Sequence, residues 1–180
     1  MPYVTLRVGQ LETMPVESSV LRATMRQWAT GVTVVTTALD HERAGMTVSS
    51  FTSVSLEPPT VLVCLNKKSY GHDLISRSGV YAVSMLGLGQ EALSNRFAGI
   101  DQTITDRFEG LELTTAETGS PLLPDAIAYL DCIVRSTHET TTHTIFIAEV
   151  VYAAVDPDRA PLVYQNRSYH ALTAAEPKQS

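Results

Sequence analysis

The sequence predicts a mainly β fold with a few flanking helices, a barrel rather than a doubly wound sheet. Runs rich in Val, Thr and Ile recur from Val32 to Val155, and branched side chains suit a pleated, half-buried surface. Helical spacing occurs only in short stretches that do not alternate regularly with those runs, so the βαβ pattern of a parallel sheet is missing. With 44% hydrophobic and 18% charged residues in 180, the chain lies in the globular range and has material for one core.

The elements follow in order. Ser18 and Ser19 can cap a helix carrying Leu21, Met25 and Trp28 at helical spacing, with Gly31 as its stop; its apolar stripe should pack on the barrel. A hairpin comes next: Val32 to Ala38, a polar turn at Asp40-His41-Glu42-Arg43, and one strand from Ala44 to Leu56. Glu57-Pro58-Pro59 forces an extended corner, because a residue before proline is pushed out of the α region. Thr60 to Leu65 reads as a buried strand, His72 to Ser78 as a short helix, Val80 to Met85 as a strand and Gln90 to Phe97 as a second helix. From Ala98 to Ser120 the pattern weakens into a long loop with a brief strand at Leu111 to Thr115. Ala126 to Thr137 and Thr144 to Val155 are long strands, and Pro161 to Tyr164 is a last short one. The domain spans 18–173, between a leader at 1–17 and a disordered tail at 174–180.

Thirteen basic and 19 acidic residues give a net charge of −6, which argues against a general affinity for nucleic acid or anionic membrane. No apolar run is long enough to span a bilayer as a helix, and residues 1–17 lack the basic and apolar regions of a secretory signal. Cys64 and Cys132 lie far apart within strand-like runs with no C-x-x-C, so each reads as a buried reduced thiol, and a cytoplasmic address follows.

Two motifs mislead. Gly87-Leu88-Gly89-Gln90-Glu91-Ala92 matches a dinucleotide fingerprint, but no second parallel strand ending in an acid follows its helix. His138-Glu139-Thr140-Thr141-Thr142-His143 carries one residue too many for a zincin helix and sits in a Thr run, so no metal site is expected. The absence of a G-x-S-x-G elbow and of a P-loop removes acyl transfer and nucleotide hydrolysis.

The richest stretch is Ala44 to Asn66, AGMTVSSFTSVSLEPPTVLVCLN, where small hydroxyls and a glycine lie between apolar strands. Such a surface can sit flat against a ring system while N–H and O–H groups hold an anion. Taken with TGVTVVTTALD before it and NKKSYGHDLI, SNRFAG, THTIFIAEV and PLVYQNRSY after it, the chain resembles the flavin reductase family from about Leu21 to Tyr169. The resemblance implies a homodimeric split β-barrel with FMN or FAD across the subunit boundary. It also implies hydride transfer from NADH or NADPH, and diffusion of the reduced flavin to a separate monooxygenase.

Carried over by position, the resemblance places the isoalloxazine edge against Arg43, Ala44, Gly45, Met46 and Thr47. The ribityl and phosphate part falls near Ser49, Ser50 and the turn after Cys64, Leu65 and Asn66. Ser69, Tyr70 and Gly71 are phosphate donors, Tyr70 being bulkier than the pattern, and Arg96 and Phe97 contribute from the second helix. His143 is the expected catalytic residue, orienting the nicotinamide together with Tyr164, Gln165, Asn166 and Arg167. The family's Gly-Asp-His is reduced here to Thr141-Thr142-His143, and Gln165-Asn166-Arg167 replaces its aromatic, Arg and Gly. Those departures keep two other readings open: a tightly held flavin serving a separate organic substrate, and a flavin- or haem-binding barrel without general reductase activity.

Overall fold

Between Thr33 and Leu39 the buried side chains point alternately to two different cores, and the rest of the fold is organised around this one strand. The computed structural model describes residues 14–174; most of the expected leader and all but the first residue of the expected tail lie outside the described residues. In chain order the elements are α1 (Ser18–Met25), β1 (Thr30–Gly31), β2 (Thr33–Leu39), β3 (Glu42–Val48), β4 (Phe51–Leu56), β5 (Pro59–Asn66) and α2 (Tyr70–Ser78). They continue with β6 (Val80–Met85), α3 (Glu91–Ala98), β7 (Ala128–Glu139), β8 (His143–Val155), β9 (Val163–Gln165) and β10 (Ser168–His170).

Seven strands pair in the order β3-β2-β6-β7-β8-β5-β4, and β1-β9-β10 form a small second sheet. Every ladder among the described residues is antiparallel. β3 and β4 are the two ends of the large sheet, yet only Ser49 and Ser50 separate them in sequence. The sheet must therefore curl until its edges adjoin, although no ladder among the described residues closes the seam.

That seam corrects the single strand expected from Ala44 to Leu56. Ser50 Oγ donates to the Cys64 carbonyl at 2.7 Å and Cys64 N–H donates to the Ser50 carbonyl at 3.2 Å, which draws the chain off β3 and onto β5. Residue types are alike on both sides of the break, so only tertiary bonding makes it. Inside the curl lie Val35, Val63, Tyr81, Val83, Cys132 and Phe146. Behind β2, Val34 joins Leu86, Phe97, Phe108, Leu123 and Leu162 in a second core under α3. The Cys132 thiol is fully buried, and that burial, with Asp131 beside it, pushes its pKa up to about 12. Cys64, expected to be buried as well, is only half-buried, because β5 alternates and turns Val61, Val63 and Leu65 to the core instead.

α2 begins at Tyr70, two residues before the expected start, because Ser69 caps it: its hydroxyl accepts from the His72 N–H. Gly79 ends it at φ 70°, in the left-handed region that glycine enters without strain. α1 departs most from expectation. It has no side-chain cap and no buried residue, and Leu21, Met25 and Trp28 are 51%, 54% and 68% exposed. Gly31 belongs to β1 and not to its end. The Leu111 to Thr115 strand shrinks to a single bridge, Thr114 to Leu122, while β10 is an unexpected addition.

Candidate active site

Among the described residues β3 has a neighbour on one side only, so half of its backbone groups face outward from the sheet. Which half follows from two contacts. Val32 O accepts from Leu86 N–H on the β6 side, so residues of that parity face β6 and Thr33, Val35 and Thr37 face β3. Their partners Val48, Met46 and Ala44 are thus engaged, and Arg43, Gly45 and Thr47 point their amide groups out. Arg107 agrees: its guanidinium donates to the outward Gly45 carbonyl at 3.2 Å and to the Phe97 carbonyl at 2.9 Å.

Across from this edge stands the first turn of α2. The backbone N–H groups of Tyr70 and Gly71 have no partner among the described residues, as expected of the first helical positions, and they sit at the positive end of the helix. Arg43, Ala44, Gly45, Met46, Ser69, Tyr70 and Gly71 line one 390 Å³ cavity, whose far wall is Thr105 to Phe108. The helix packs closely: a Cβ on Gly71 would fall 1.5 Å from Met46 Cε, and one on Gly45 would fall 2.5 Å from Phe97 Cε1.

Charge holds the wall in place. Arg43 bridges to Asp106 at 2.7 Å and lies 4.9 Å over the Phe108 ring. The Phe108 N–H and then Arg43 hold the Asp106 carboxyl below its ordinary range. Arg96 donates to the carbonyls of Glu109, at 2.5 Å, and Asp106, at 3.3 Å. At the other end Tyr70 Oη donates to Glu42 at 2.6 Å. Arg77, foremost, and Tyr70 pull the Glu42 pKa down to about 2.

A second cavity, of 280 Å³, continues along the same strand: Thr47, Val48 and Ser49 face Ser94 and Asn95 of α3 and Tyr164, Arg167 and Tyr169 of the small sheet. Tyr169 Oη donates to Asn95 Oδ1 at 2.7 Å, and its ring lies 5.3 Å from that of Tyr164. Thr47 Oγ1 is spent on the Ser94 carbonyl at 2.7 Å.

A family model described as flavin reductase like domain matches residues 25–173. The chain belongs to the flavin reductase family. It is 40% identical over 151 residues to an FMN reductase (NADH) of Ancylobacter novellus, covering 84% of this chain and 83% of that one. It is 38% identical over 156 residues to the reductase component of the FADH(2)-dependent resorcinol hydroxylase of a Rhizobium species, covering 86% and 87%. Among solved structures, the NADH:FAD oxidoreductase of Streptomyces globisporus superposes with a TM-score of 0.82 at 35% identity, covering 92% of this chain and 99% of that one.

Within this flavin reductase the expected site residues fall in three places. Arg43 to Met46 and Ser69 to Gly71 meet in the first cavity, while Thr47, Ser49, Tyr164 and Arg167 meet in the second. The remaining ones line neither cavity. Phe97 and Leu65 are core residues, Arg96 is committed to the loop wall, and the Ser50 hydroxyl is committed to Cys64. The Asn66 carbonyl accepts from Ser69 N–H at 3.0 Å and Oγ at 2.8 Å, so Asn66 shapes the turn that presents α2.

His143 pairs with Asn66 in the β5–β8 ladder, contacts Thr142 Oγ1 at 2.8 Å through Nδ1, and lines neither cavity. It is therefore not grouped with Tyr164 and Arg167 within this chain. Asn166 donates its N–H to the Arg26 carbonyl, and the Gln165 carbonyl accepts from His170. Sequence reasoning did not reach Asp106, Arg107 and Phe108, which lie in a stretch without periodicity. Tyr169 was within reach, as the last residue of PLVYQNRSY.

His72 supports this site from behind. Its Nε2 meets Thr144 Oγ1 at 2.8 Å and its ring stands edge-on to Phe146 at 5.2 Å. Burial first, and then the Lys67 charge, hold its pKa below the usual 6.5. The unfolded chain therefore takes up the proton before the native one does. Stability conferred by neutral His72 is complete above 6.5 and falls as pH drops through that value. Urea midpoints at pH 8 and pH 5.5 should differ less in His72→Gln than in the parent; an equal difference contradicts this.

Proposed function

We propose that the protein oxidises NADH to reduce FMN or FAD and releases the reduced flavin to a separate monooxygenase. The observation that carries the reading is the continuity of two cavities along one free strand edge, the first ending at unpaired helix N–H groups. An isoalloxazine edge fits the outward amides of Arg43, Gly45 and Thr47, and a phosphate fits the Tyr70 and Gly71 N–H groups. Bound flavin would supply the hydride acceptor. The chain itself binds and orients, and the second cavity, with its tyrosines and hydroxyls, takes the hydride donor. Relatives named as NADH-dependent support NADH over NADPH.

The same reading makes the protein a cytoplasmic homodimer whose curled sheet is a split barrel. Its support is the unpartnered stripe of α1 together with Val54 and Leu56, 51% and 85% exposed on the edge strand β4. A second protomer would also explain how His143 reaches a nicotinamide it does not approach here. Light scattering should give twice 19.6 kDa at micromolar concentration; a stable active monomer contradicts the dimer. For the activity, NADH consumption should rise and saturate with added FMN, FAD or riboflavin. Oxidation that ignores free flavin contradicts the reductase.

A further inference from the structure

The turn joining β9 to β10 consists of Asn166 and Arg167, with φ of 49° and 64°. Two successive positive φ values in a two-residue hairpin turn are the pattern that Asn-Gly serves, because the second position ordinarily goes to glycine. Asn tolerates the left-handed region, whereas Arg enters it at a cost in strain. Strain of this kind persists where the side chain has another task, and Arg167 has a place for one. It lines the second cavity, no Asp or Glu shares that lining, and no carboxylate among the described residues pairs with it. Beside it stand the paired Tyr164 and Tyr169 rings and Asn95, whose Oδ1 is taken by Tyr169 so that its amide donors remain. An unpaired guanidinium next to aromatic faces and amide donors matches the phosphates and base of an adenine nucleotide.

We propose that Arg167 is a specificity residue that binds a phosphate in the adenosine diphosphate half of a dinucleotide. This rests on the reading that the second cavity takes the hydride donor, but the same chemistry is carried by NADH and by FAD. Arg167→Gly separates strain from binding, since it should relax the turn while removing the charge. The variant should melt about 2–4 °C higher than the parent. Its affinity for ADP, by calorimetry, should fall on the order of tenfold. NADH should lose the same factor if it is the source of the phosphate, FAD if the flavin is, and FMN should keep its affinity in either case. Arg167→Lys should retain part of the affinity without the gain in stability.

A glycine variant no more stable than the parent overturns the proposal, and so does one that binds ADP, NADH and FAD as the parent does. Parent protein that binds ADP through Arg167 yet never oxidises NADH supports the proposal and removes the reductase reading. Parent protein that oxidises NADH alongside a glycine variant of unchanged affinities does the reverse.

Discussion

Ser69→Asp should weaken FMN binding by about 100-fold while riboflavin, which lacks the phosphate, stays within about twofold of the parent. The substitution keeps the helix cap; it gives up the Ser69 Oγ bond to the Asn66 carbonyl and leaves the Ser69 N–H bond to hold that turn. Aspartate caps helices as well as serine does, and a carboxylate at a helix N-terminus is favoured by the dipole, so α2 should keep its start at Tyr70. What changes is the charge in front of the Tyr70 and Gly71 N–H groups. A phosphate held there carries between one and two negative charges and would lie within a few ångströms of the new carboxylate. At an effective dielectric of about 20, unit charges ~4 Å apart repel by about 4 kcal/mol, and screening by solvent reduces this to roughly 3. The loss should shrink as salt rises, because the cavity is open to solvent. Fluorescence titration with both flavins measures it, and equal losses would remove the α2 terminus from the phosphate site.

Gly45→Ala should destabilise the protein by about 2 kcal/mol, the middle of the range for overpacking, and lower its melting temperature by about 4–8 °C. The new Cβ would lie 2.5 and 2.7 Å from Phe97 and 2.9 Å from Phe108. Neither ring can retreat easily, since both are core residues 5.1 Å apart in an edge-to-face pair. The strand must yield instead, and the outward amides of Arg43 and Thr47 would move with it, so flavin affinity should fall together with stability. Phe97→Leu costs stability alone but should recover part of the loss when combined with Gly45→Ala. A double-mutant cycle measures the coupling, and strict additivity would contradict the contact.

These two glycine-and-cap effects show what a linear reading reaches. The β2–β3 hairpin and the long β7 and β8 were legible because stretches rich in apolar and branched residues are bounded there by polar turns. Ser69 as a cap was legible in principle, since a serine precedes the helical spacing. The Ser49-Ser50 break was not, because it is made by bonds to Cys64, which the local sequence does not contain. The exposure of α1 was hidden for a related reason: an apolar stripe announces that it will be covered, not by what. β10 was missed because Asn166-Arg167 lacks the glycine that marks such a turn, and the residues of the 105–108 wall were missed because charge and ring contacts, with no period, place them. His143 shows the limit from the other side: a motif position identified the residue, but its location beside Asn66 depends on the β5–β8 register.

The central claim is that one strand edge holds a flavin in reach of a hydride donor in the adjoining cavity. Anaerobic mixing of the FMN-loaded protein with NADH tests it in a single turnover. The absorbance of oxidised flavin should disappear at a rate that saturates with NADH, and the reduced FMN should pass a filter that retains the protein. Flavin that stays oxidised in the presence of excess NADH, on a protein that binds it well, would contradict the account.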